Sequence, residues 1–175
     1  MDLQTARLNL VPLAQEHSPA LAALYSDPEV ARYIGGSRLT PEETSSQVGR
    51  FMDVWDIHGF GQSAVIERSS GTFIGRVGLH PWTDWDELEL GWMIAPSHQR
   101  RGLATEAAEA WICWSLEHLP ADHLIAVIQP ENAASISTAL RLGFEFERDD
   151  QTTWDPVSVY RRPIRPSVEG PDGGQ

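Results

Sequence analysis

The stretch that decides the fold reads Ile94-Ala95-Pro96-Ser97-His98-Gln99-Arg100-Arg101-Gly102-Leu103-Ala104-Thr105-Glu106. It leaves an apolar segment, passes through a short polar loop and, from Gly102 onward, places its apolar residues at helical spacing. The first amides of a helix have no intrahelical acceptor, and the helix dipole gives them partial positive charge. A phosphate group satisfies both, so the stretch predicts a strand, a loop and a helix whose start binds an anion.

Small and basic side chains in the loop strengthen the prediction of an anion site. Gly102 has no Cβ and lets a phosphate approach the main chain, and Ala104 is nearly as small. Arg100 and Arg101 add two cationic donors in an otherwise acidic chain. The sequence contains neither the phosphate-loop motif of ATP-binding proteins nor the glycine fingerprint of dinucleotide-binding proteins. ATP and dinucleotides are therefore disfavoured as ligands.

The segments on either side of this stretch alternate between strand and helix patterns. Strands are predicted at residues 7–13, 63–67, 72–79, 87–94, 123–128, 144–148 and 153–161. Two short helices are predicted to begin at Ser18-Pro19 and Asp27-Pro28, a third runs from Thr40 to about residue 57, and two more span 102–119 and 132–142. Residues 1–165 therefore form one predicted domain, and the Gly- and Pro-containing tail 166–175 is expected to be disordered.

Composition limits the classes of function. The chain has 175 residues, 41% of them hydrophobic, and a formal net charge of −12. That charge repels nucleic acids and anionic membranes and favours a cationic partner. The single cysteine, Cys113, excludes an internal disulfide and a thiolate cluster, and the scattered histidines give no metal-binding spacing, so no metal is expected. Without an apolar span or a signal sequence, the expected location is cytoplasmic.

Four segments resemble the GNAT superfamily of acetyl-CoA-dependent N-acetyltransferases, and in particular its ribosomal-protein N-terminal acetyltransferases. The resemblance extends from residue 5 to about residue 162 and is specific for the superfamily but not for a substrate. The matching segments are Thr5-Ala6-Arg7-Leu8-Asn9-Leu10, Glu89-Leu90-Gly91-Trp92-Met93-Ile94, Gln99 to Ala104, and Asn132-Ala133-Ala134-Ser135 with Leu142-Gly143-Phe144.

The resemblance implies a GNAT-type α/β (α+β) fold. It consists of a mixed, mostly antiparallel sheet of about seven strands with about four helices, split centrally by the cofactor. The implied cosubstrate is acetyl-CoA, with its pantetheine arm along the backbone of Met93, Ile94 and Ala95. Asn132 would bind the pantetheine or the adjacent main chain, although a plain helix N-cap is the alternative for this residue. The remaining residues implied in cofactor binding are those of the loop: Gln99, Arg100, Arg101, Gly102, Leu103, Ala104 and Thr105.

The implied reaction is direct attack of an amine on the thioester, which requires loss of an ammonium proton and an acid for the thiolate. An ionised carboxylate on an apolar strand is costly unless it faces water or a cation, so Glu89 is predicted to face the cleft as ammonium anchor or base. The alternative is an ordinary salt bridge, and Glu87 is a weaker second carboxylate. Ser135 is the candidate acid, with Tyr160 as fallback; a helical serine that bonds only backbone or solvent is the alternative.

The predicted function is therefore acetyl transfer to a primary amine, either a protein N-terminus or a cationic small molecule. Many family members carry a tyrosine where this chain has Ala139, which leaves a non-catalytic acyl-CoA-binding or sensory protein as the alternative. A homodimer is possible. Trp82, Trp85 and Trp92 are interpreted as walls of an acceptor cleft, with a place in the core as the alternative. His80 and His98 are interpreted as surface or loop histidines, and Cys113 as a small buried hydrophobe.

Overall fold

The computed structural model describes residues 2–34, 39–152 and 155–165. It contains a sheet of eight strands, and five α-helices lie around it. The strands are β1 (Leu3–Gln4), β2 (Leu8–Pro12), β3 (Gln62–Glu67), β4 (Thr72–Trp82), β5 (Glu87–Ile94), β6 (His123–Ile128), β7 (Glu145–Gln151) and β8 (Pro156–Pro163). The helices are α1 (Ser18–Tyr25), α2 (Pro28–Ala31), α3 (Pro41–His58), α4 (Leu103–His118) and α5 (Ala133–Arg141).

The predicted mixed α/β class is confirmed. The additional strand, β1, has two residues and is too short to produce a period-two pattern. The last two strands lie at residues 145–151 and 156–163 rather than 144–148 and 153–161. The tail predicted to be disordered, 166–175, lies outside the described residues.

The sheet order is β1-β2-β3-β4-β5-β6-β8-β7. Every neighbouring pair is antiparallel except β5 and β6, which are parallel. Antiparallel pairing of β4 with β5 extends over the full length of β5, from Glu87 to Ile94. The register of β5 with β6 is a single pair, Glu89 with Ile125, so these two central strands diverge beyond it.

Capping residues fix the helix starts at several places. Thr40 accepts a hydrogen bond from the Glu43 amide at 3.1 Å, and the Glu43 carboxylate accepts one from the Thr40 amide at 2.8 Å. This is the capping box predicted from the sequence, and α3 begins at the next residue, Pro41. Asn132 caps α5 in a similar way, because its Oδ1 accepts a hydrogen bond from the Ser135 amide at 3.1 Å.

The two faces of the sheet carry separate apolar clusters. Consecutive strand residues point to opposite faces, so Ala64 packs with α1 and α3 while Val65 packs on the face covered by α4. Trp111 of α4 is fully buried in the same cluster as Val65. These clusters hold both helical layers against the sheet and thereby position the start of α4 beside the end of β5.

Gly75 permits a local irregularity in β4. Its φ of +152° is one that L side chains rarely adopt, and a Cβ there would lie 2.0 Å from the Met93 carbonyl oxygen. The register of β3 with β4 shifts at the same place, between Val65 and Ile66. This irregularity lies directly opposite Ile94, where β5 ends.

Candidate functional site

A cavity of about 690 Å³ opens beside the end of β5. Its walls are the end of β5, the loop and first turn of α4, and α5. The sequence-predicted residues that line it are Met93, Ile94, Gln99, Arg100, Gly102, Leu103, Ala104, Thr105, Asn132 and Ser135. The structure therefore brings most of the predicted loop, the end of β5 and the start of α5 to one place.

The loop before α4 has a backbone conformation suited to an anion. Arg100 has φ +58° and Gly102 has φ +75°, two left-handed residues on either side of Arg101. Alternating handedness of this kind turns successive N–H groups toward one side. A Cβ at Gly102 would meet nothing nearer than Arg7 Nη2, at 3.6 Å, so the main chain is open there. Gln99 holds the loop to the strand, because its Nε2 donates to the Ile94 carbonyl at 3.0 Å.

Two of the residues predicted to bind the cofactor, Ala95 and Arg101, do not line the cavity. The Arg101 side chain donates to Glu67 at 2.7 Å and is not among the residues lining the cavity. The Ala95 amide donates to the Ile74 carbonyl at 2.8 Å, so that N–H already has an acceptor in the sheet. The Arg101 guanidinium is therefore directed away from the cavity. Of the two neighbouring arginines, only Arg100 lines the cavity.

The side chains that line this cavity carry a charge opposite to the net charge of the whole chain. Among the residues that the structure describes, Arg32, Arg76, Arg100 and Arg141 line it, and Glu29 is the single lining carboxylate. Four guanidinium groups converging in a chain of net charge −12 create a local positive field. Together with the start of α4, they form a site that attracts a polyanion.

A second cavity, of about 360 Å³, adjoins the first on the sheet. Among the described residues, two carboxylates line it, those of Glu89 and Asp155, together with the Arg76 guanidinium, and Trp82 forms part of its wall. The smaller cavity thus carries carboxylate and aromatic groups that attract a cation. Five residues line both cavities and define what we call the junction: Tyr33, Arg76, Trp92, Asn132 and Ser135.

Glu89 is half-buried at the floor of the smaller cavity. Its Oε2 accepts a hydrogen bond from Trp82 Nε1 at 2.7 Å. Burial raises the pKa of this carboxyl above its ordinary value, and hydrogen bonds from Trp82 and the Val127 backbone, with the charge of Arg76, oppose the rise only in part. Space for the carboxylate comes from Gly91, since a Cβ there would lie 3.3 Å from Glu89 Oε1. Glu89 forms no ion pair with a described residue, so it is available to the cavity.

Glu87 and Tyr160 lie outside the two cavities. Glu87 pairs with Arg148 at 2.7 Å, which makes it a structural ion pair rather than a second carboxylate of the cleft. Tyr160 is buried on β8 and packs edge-on against Phe146.

Asn132 and Ser135 meet at the junction. The hydrogen bond between the Asn132 side chain and the Ser135 amide is the N-cap expected under the plain structural interpretation. Both residues nevertheless line the two cavities. The cap therefore fixes the place of Ser135, and the two interpretations of Asn132 are compatible.

The structure places His80 and Cys113 in environments that differ from those expected from the sequence. His80, interpreted as a surface or loop histidine, lies in β4 opposite Glu89, and burial together with the charge of Arg76 lowers its pKa. Cys113 was predicted to be buried, and this was wrong: its position on α4 is exposed. In the described part of the chain, no group of three or more His, Cys, Asp or Glu side chains is arranged to hold a metal ion.

Sequence reasoning missed Tyr33 and Arg76, which line both cavities. A signal for Arg76 was present: it is a charged residue within an apolar strand, and the rule applied to Glu89 applies equally to it. Tyr33 gave no such signal, because its place depends on how α2 packs against the rest of the molecule.

Comparison with known proteins adds family information to this geometry. A family model described as "Acetyltransferase (GNAT) domain" matches residues 7–145. The uncharacterized N-acetyltransferase YoaA of Bacillus subtilis (strain 168) is 27% identical over 147 residues, covering 83% of this chain and 83% of YoaA.

Solved structures share the fold. An acetyltransferase from Agrobacterium tumefaciens str. C58 is 30% identical with a TM-score of 0.82, covering 93% of this chain and 94% of its own. The ribosomal L7/L12 alpha-N-protein acetyltransferase RimL, in complex with coenzyme A, has a TM-score of 0.76 at 17% identity, covering 94% of this chain and 98% of its own. At that identity the similarity to RimL is one of fold. No helix among the described residues is both long and apolar enough to cross a membrane.

Proposed function

Because this chain belongs to the GNAT acetyltransferase family, we propose that it transfers an acetyl group from acetyl-CoA to the primary amine of a cationic acceptor. The observation that carries the proposal is the pair of adjoining cavities, one lined mainly by arginines and the other by two carboxylates, which share Arg76 where they meet. A polyanionic donor and a cationic acceptor would each enter the cavity that attracts it, and their reacting ends would meet at the junction.

The larger cavity suits the donor. Amides of the loop and of the first turn of α4 would hold the pyrophosphate, with Arg100 as a side-chain donor. The backbone of Met93 and Ile94, on the strand that diverges from β6, would run beside the pantetheine arm. Acetyl-CoA would supply an activated thioester there. The coenzyme A bound to RimL, a protein of the same fold, supports this use of the cavity.

The smaller cavity suits a protonated amine. Glu89 and Asp155 would attract the ammonium form, and Glu89 would accept its proton directly or through water once the amine is in place. The raised pKa of Glu89 brings this carboxyl closer to the range in which it can both accept and release a proton. Ser135, fixed at the junction by Asn132, would donate a proton to the departing thiolate.

Both a protein N-terminus and a small amine are compatible with this cavity. A flat, open site would favour a peptide, whereas an enclosed one would favour a small molecule. The experiment therefore tests both classes of acceptor.

The test is release of coenzyme A thiol from acetyl-CoA in the presence of short peptides with free N-termini, diamines and neutral amines of similar size. We expect release with cationic acceptors and a loss of about 100-fold or more in Glu89→Gln. Glu16→Gln removes the same charge from a side chain that is 81% exposed and serves as the matched control. Cofactor binding without release for any amine would instead establish a non-catalytic acyl-CoA-binding protein.

A further inference from the structure

Arg76 is a cation at the junction without a carboxylate partner among the described residues. Its Nε donates to the Tyr25 hydroxyl at 3.0 Å and its Nη1 to Gln62 Oε1 at 2.8 Å. Its guanidinium carbon lies 5.2 Å from the centre of the Phe51 ring. All three neighbours are neutral, so no charge in direct contact compensates this half-buried side chain. The Glu89 carboxyl lies farther off in the smaller cavity, where burial raises its pKa and the charge of Arg76 opposes that rise without an ion pair between the two.

Among the described residues, four arginines are in ion pairs, and Arg76 is not one of them. Arg7, Arg101, Arg148 and Arg161 each pair with a carboxylate at 2.8 Å or less. Placing a charge in a partly buried position beside neutral groups costs free energy, and an anion brought to it interacts more strongly than it would in water. The environment of Arg76 is therefore prepared for an anion that arrives with a ligand or forms during a reaction.

The surroundings hold Arg76 in this position. Gln62 is buried, and its Nε2 donates to the Gly78 carbonyl at 2.9 Å, which turns its Oε1 toward the guanidinium. Arg76 is also the register partner of Met93 across β4 and β5. The cation is thus fixed on the strand next to the one along which the pantetheine arm is proposed to lie.

We propose that Arg76 stabilises the negative charge that forms on the sulfur of coenzyme A as the acetyl group leaves it. This inference rests on the proposed function, which places the thioester where the two cavities meet. The role is electrostatic, because a guanidinium retains its proton throughout the working pH range.

The step balances without a further reactant. The amine nitrogen donates its electron pair to the thioester carbonyl carbon, and a C–N bond forms. The C–S bond then breaks, its electron pair remains on sulfur, and the thiolate is held by the guanidinium until it takes up a proton. The proton lost by the attacking nitrogen passes to Glu89 or to water.

This role explains how the chain can act with Ala139 at the position where many relatives carry a tyrosine. Ala139 is fully buried and offers no proton. An opposite charge within a few ångströms favours the ionised form of a thiol, so the sulfur can leave as a thiolate before it is protonated. Ser135 then need not deliver its proton at the moment of bond cleavage.

The experiment uses coenzyme A itself and needs no acceptor. Affinities of the wild-type protein for coenzyme A and for desulfo-coenzyme A, in which hydrogen replaces the thiol, are measured by calorimetry from about pH 6 to about pH 9, the range in which a thiol of ordinary pKa begins to ionise. We expect the affinity ratio of coenzyme A to its desulfo analogue to rise about tenfold with pH, as thiolate binding at a cation requires. A ratio independent of pH would overturn the role of Arg76 and leave the proposed function standing.

Variants separate Arg76 from the other cations of the cavity. In Arg76→Gln the ratio should no longer depend on pH, and in Arg76→Lys the dependence should remain. Arg32→Gln, which removes another lining arginine, should weaken both ligands equally and leave the dependence intact. A pH dependence that survives in Arg76→Gln would refute the assignment, whereas failure of both ligands to bind the wild-type protein would refute the proposed function as well.

Discussion

At the scale of single residues, Glu89 is a carboxyl whose burial makes the stability of the fold depend on pH. Burial raises the pKa of its carboxyl, so the folded protein binds this proton more tightly than the unfolded chain does. Stability contributed by this group is therefore greatest at low pH and declines as pH rises from the ordinary pKa through the raised one. At any pH above the ordinary carboxyl pKa, burial of this group therefore lowers the stability of the fold.

Substituting Glu89 by Gln removes that cost and keeps an oxygen that can accept the hydrogen bond from Trp82. We predict that Glu89→Gln unfolds at a higher temperature than the wild type at neutral pH and that this difference disappears at pH values below the ordinary carboxyl range. Thermal unfolding as a function of pH measures it. A stability difference of equal size at every pH would show that burial of the charge is not the cause.

The placement of a residue in a cavity was predictable where its charge conflicts with the local pattern. Glu89 stood out as a carboxylate on an apolar strand, and the structure places it in the smaller cavity. Arg101 could not be assigned in this way, because its direction is set by Glu67 on β3, which is distant in the sequence. A basic dipeptide shows that two cations lie near a loop but not which of them faces the cavity.

At the scale of elements, the site depends on the shape of β4 and β5. The bounds of β5 and β6 agree with the sequence prediction because alternation and flanking turns are local signals. Divergence of the two strands beyond Glu89 is not a local signal, because it depends on how the strands meet in the sheet. The family resemblance implied a slot at this place, which residue patterns alone did not.

Gly75 tests the shape of these strands directly. We predict that Gly75→Ala destabilises the protein by about 2 kcal/mol or more, because the new Cβ would collide with the Met93 carbonyl and require an unfavourable φ. Gly71→Ala is the matched control, since Gly71 also has a positive φ, +70°, but no atom lies within 4 Å of its Cβ position. Urea unfolding gives both values. Equal losses in the two variants would mean that close packing of β4 on β5 is not required.

At the scale of the whole molecule, Glu106 connects the start of the chain to α4. Its carboxylate accepts hydrogen bonds from the Thr5 hydroxyl at 2.5 Å, the Arg7 amide at 2.9 Å and Arg7 Nε at 2.6 Å. Burial raises the pKa of Glu106, but these hydrogen bonds outweigh it and the net shift is downward. The contribution of this group to stability is present above the ordinary carboxyl pKa and is lost as pH falls through the lowered one.

We therefore predict that Glu106→Gln loses about 1–3 kcal/mol of stability at neutral pH, the usual loss for hydrogen bonds to a charged group. The loss should shrink in acid, the opposite pH dependence to that of Glu89→Gln. Glu109→Gln, at an exposed position of the same helix, should change stability little at any pH. Denaturant titrations at neutral and acidic pH compare the three proteins, and a loss that persists unchanged in acid would contradict the account.

The distribution of charge over the molecule is the property that the sequence indicated least completely. The net charge of a chain does not determine the charge inside one cavity. Four arginines line the larger cavity although the chain as a whole is acidic. Arg32 and Arg141 come from α2's end and α5, so their convergence required the fold. Composition favoured a cationic acceptor and the loop motif an anionic donor, but the arrangement of the charged side chains on two adjoining cavities required the packed structure.

The measurement that tests the central claim most directly is thermal unfolding with and without acetyl-CoA, for the wild type, Gly102→Glu and Gly59→Glu. At a concentration 100 times the dissociation constant, acetyl-CoA should add about 2.7 kcal/mol to the stability of the wild type. Gly102→Glu places bulk and negative charge in the anion site and should abolish this gain. Gly59→Glu has the same backbone requirement, with φ +71°, at the end of α3 and should keep it. Absence of a gain in the wild type, or an equal gain in Gly102→Glu, would contradict the assignment of the loop before α4 as the cofactor site.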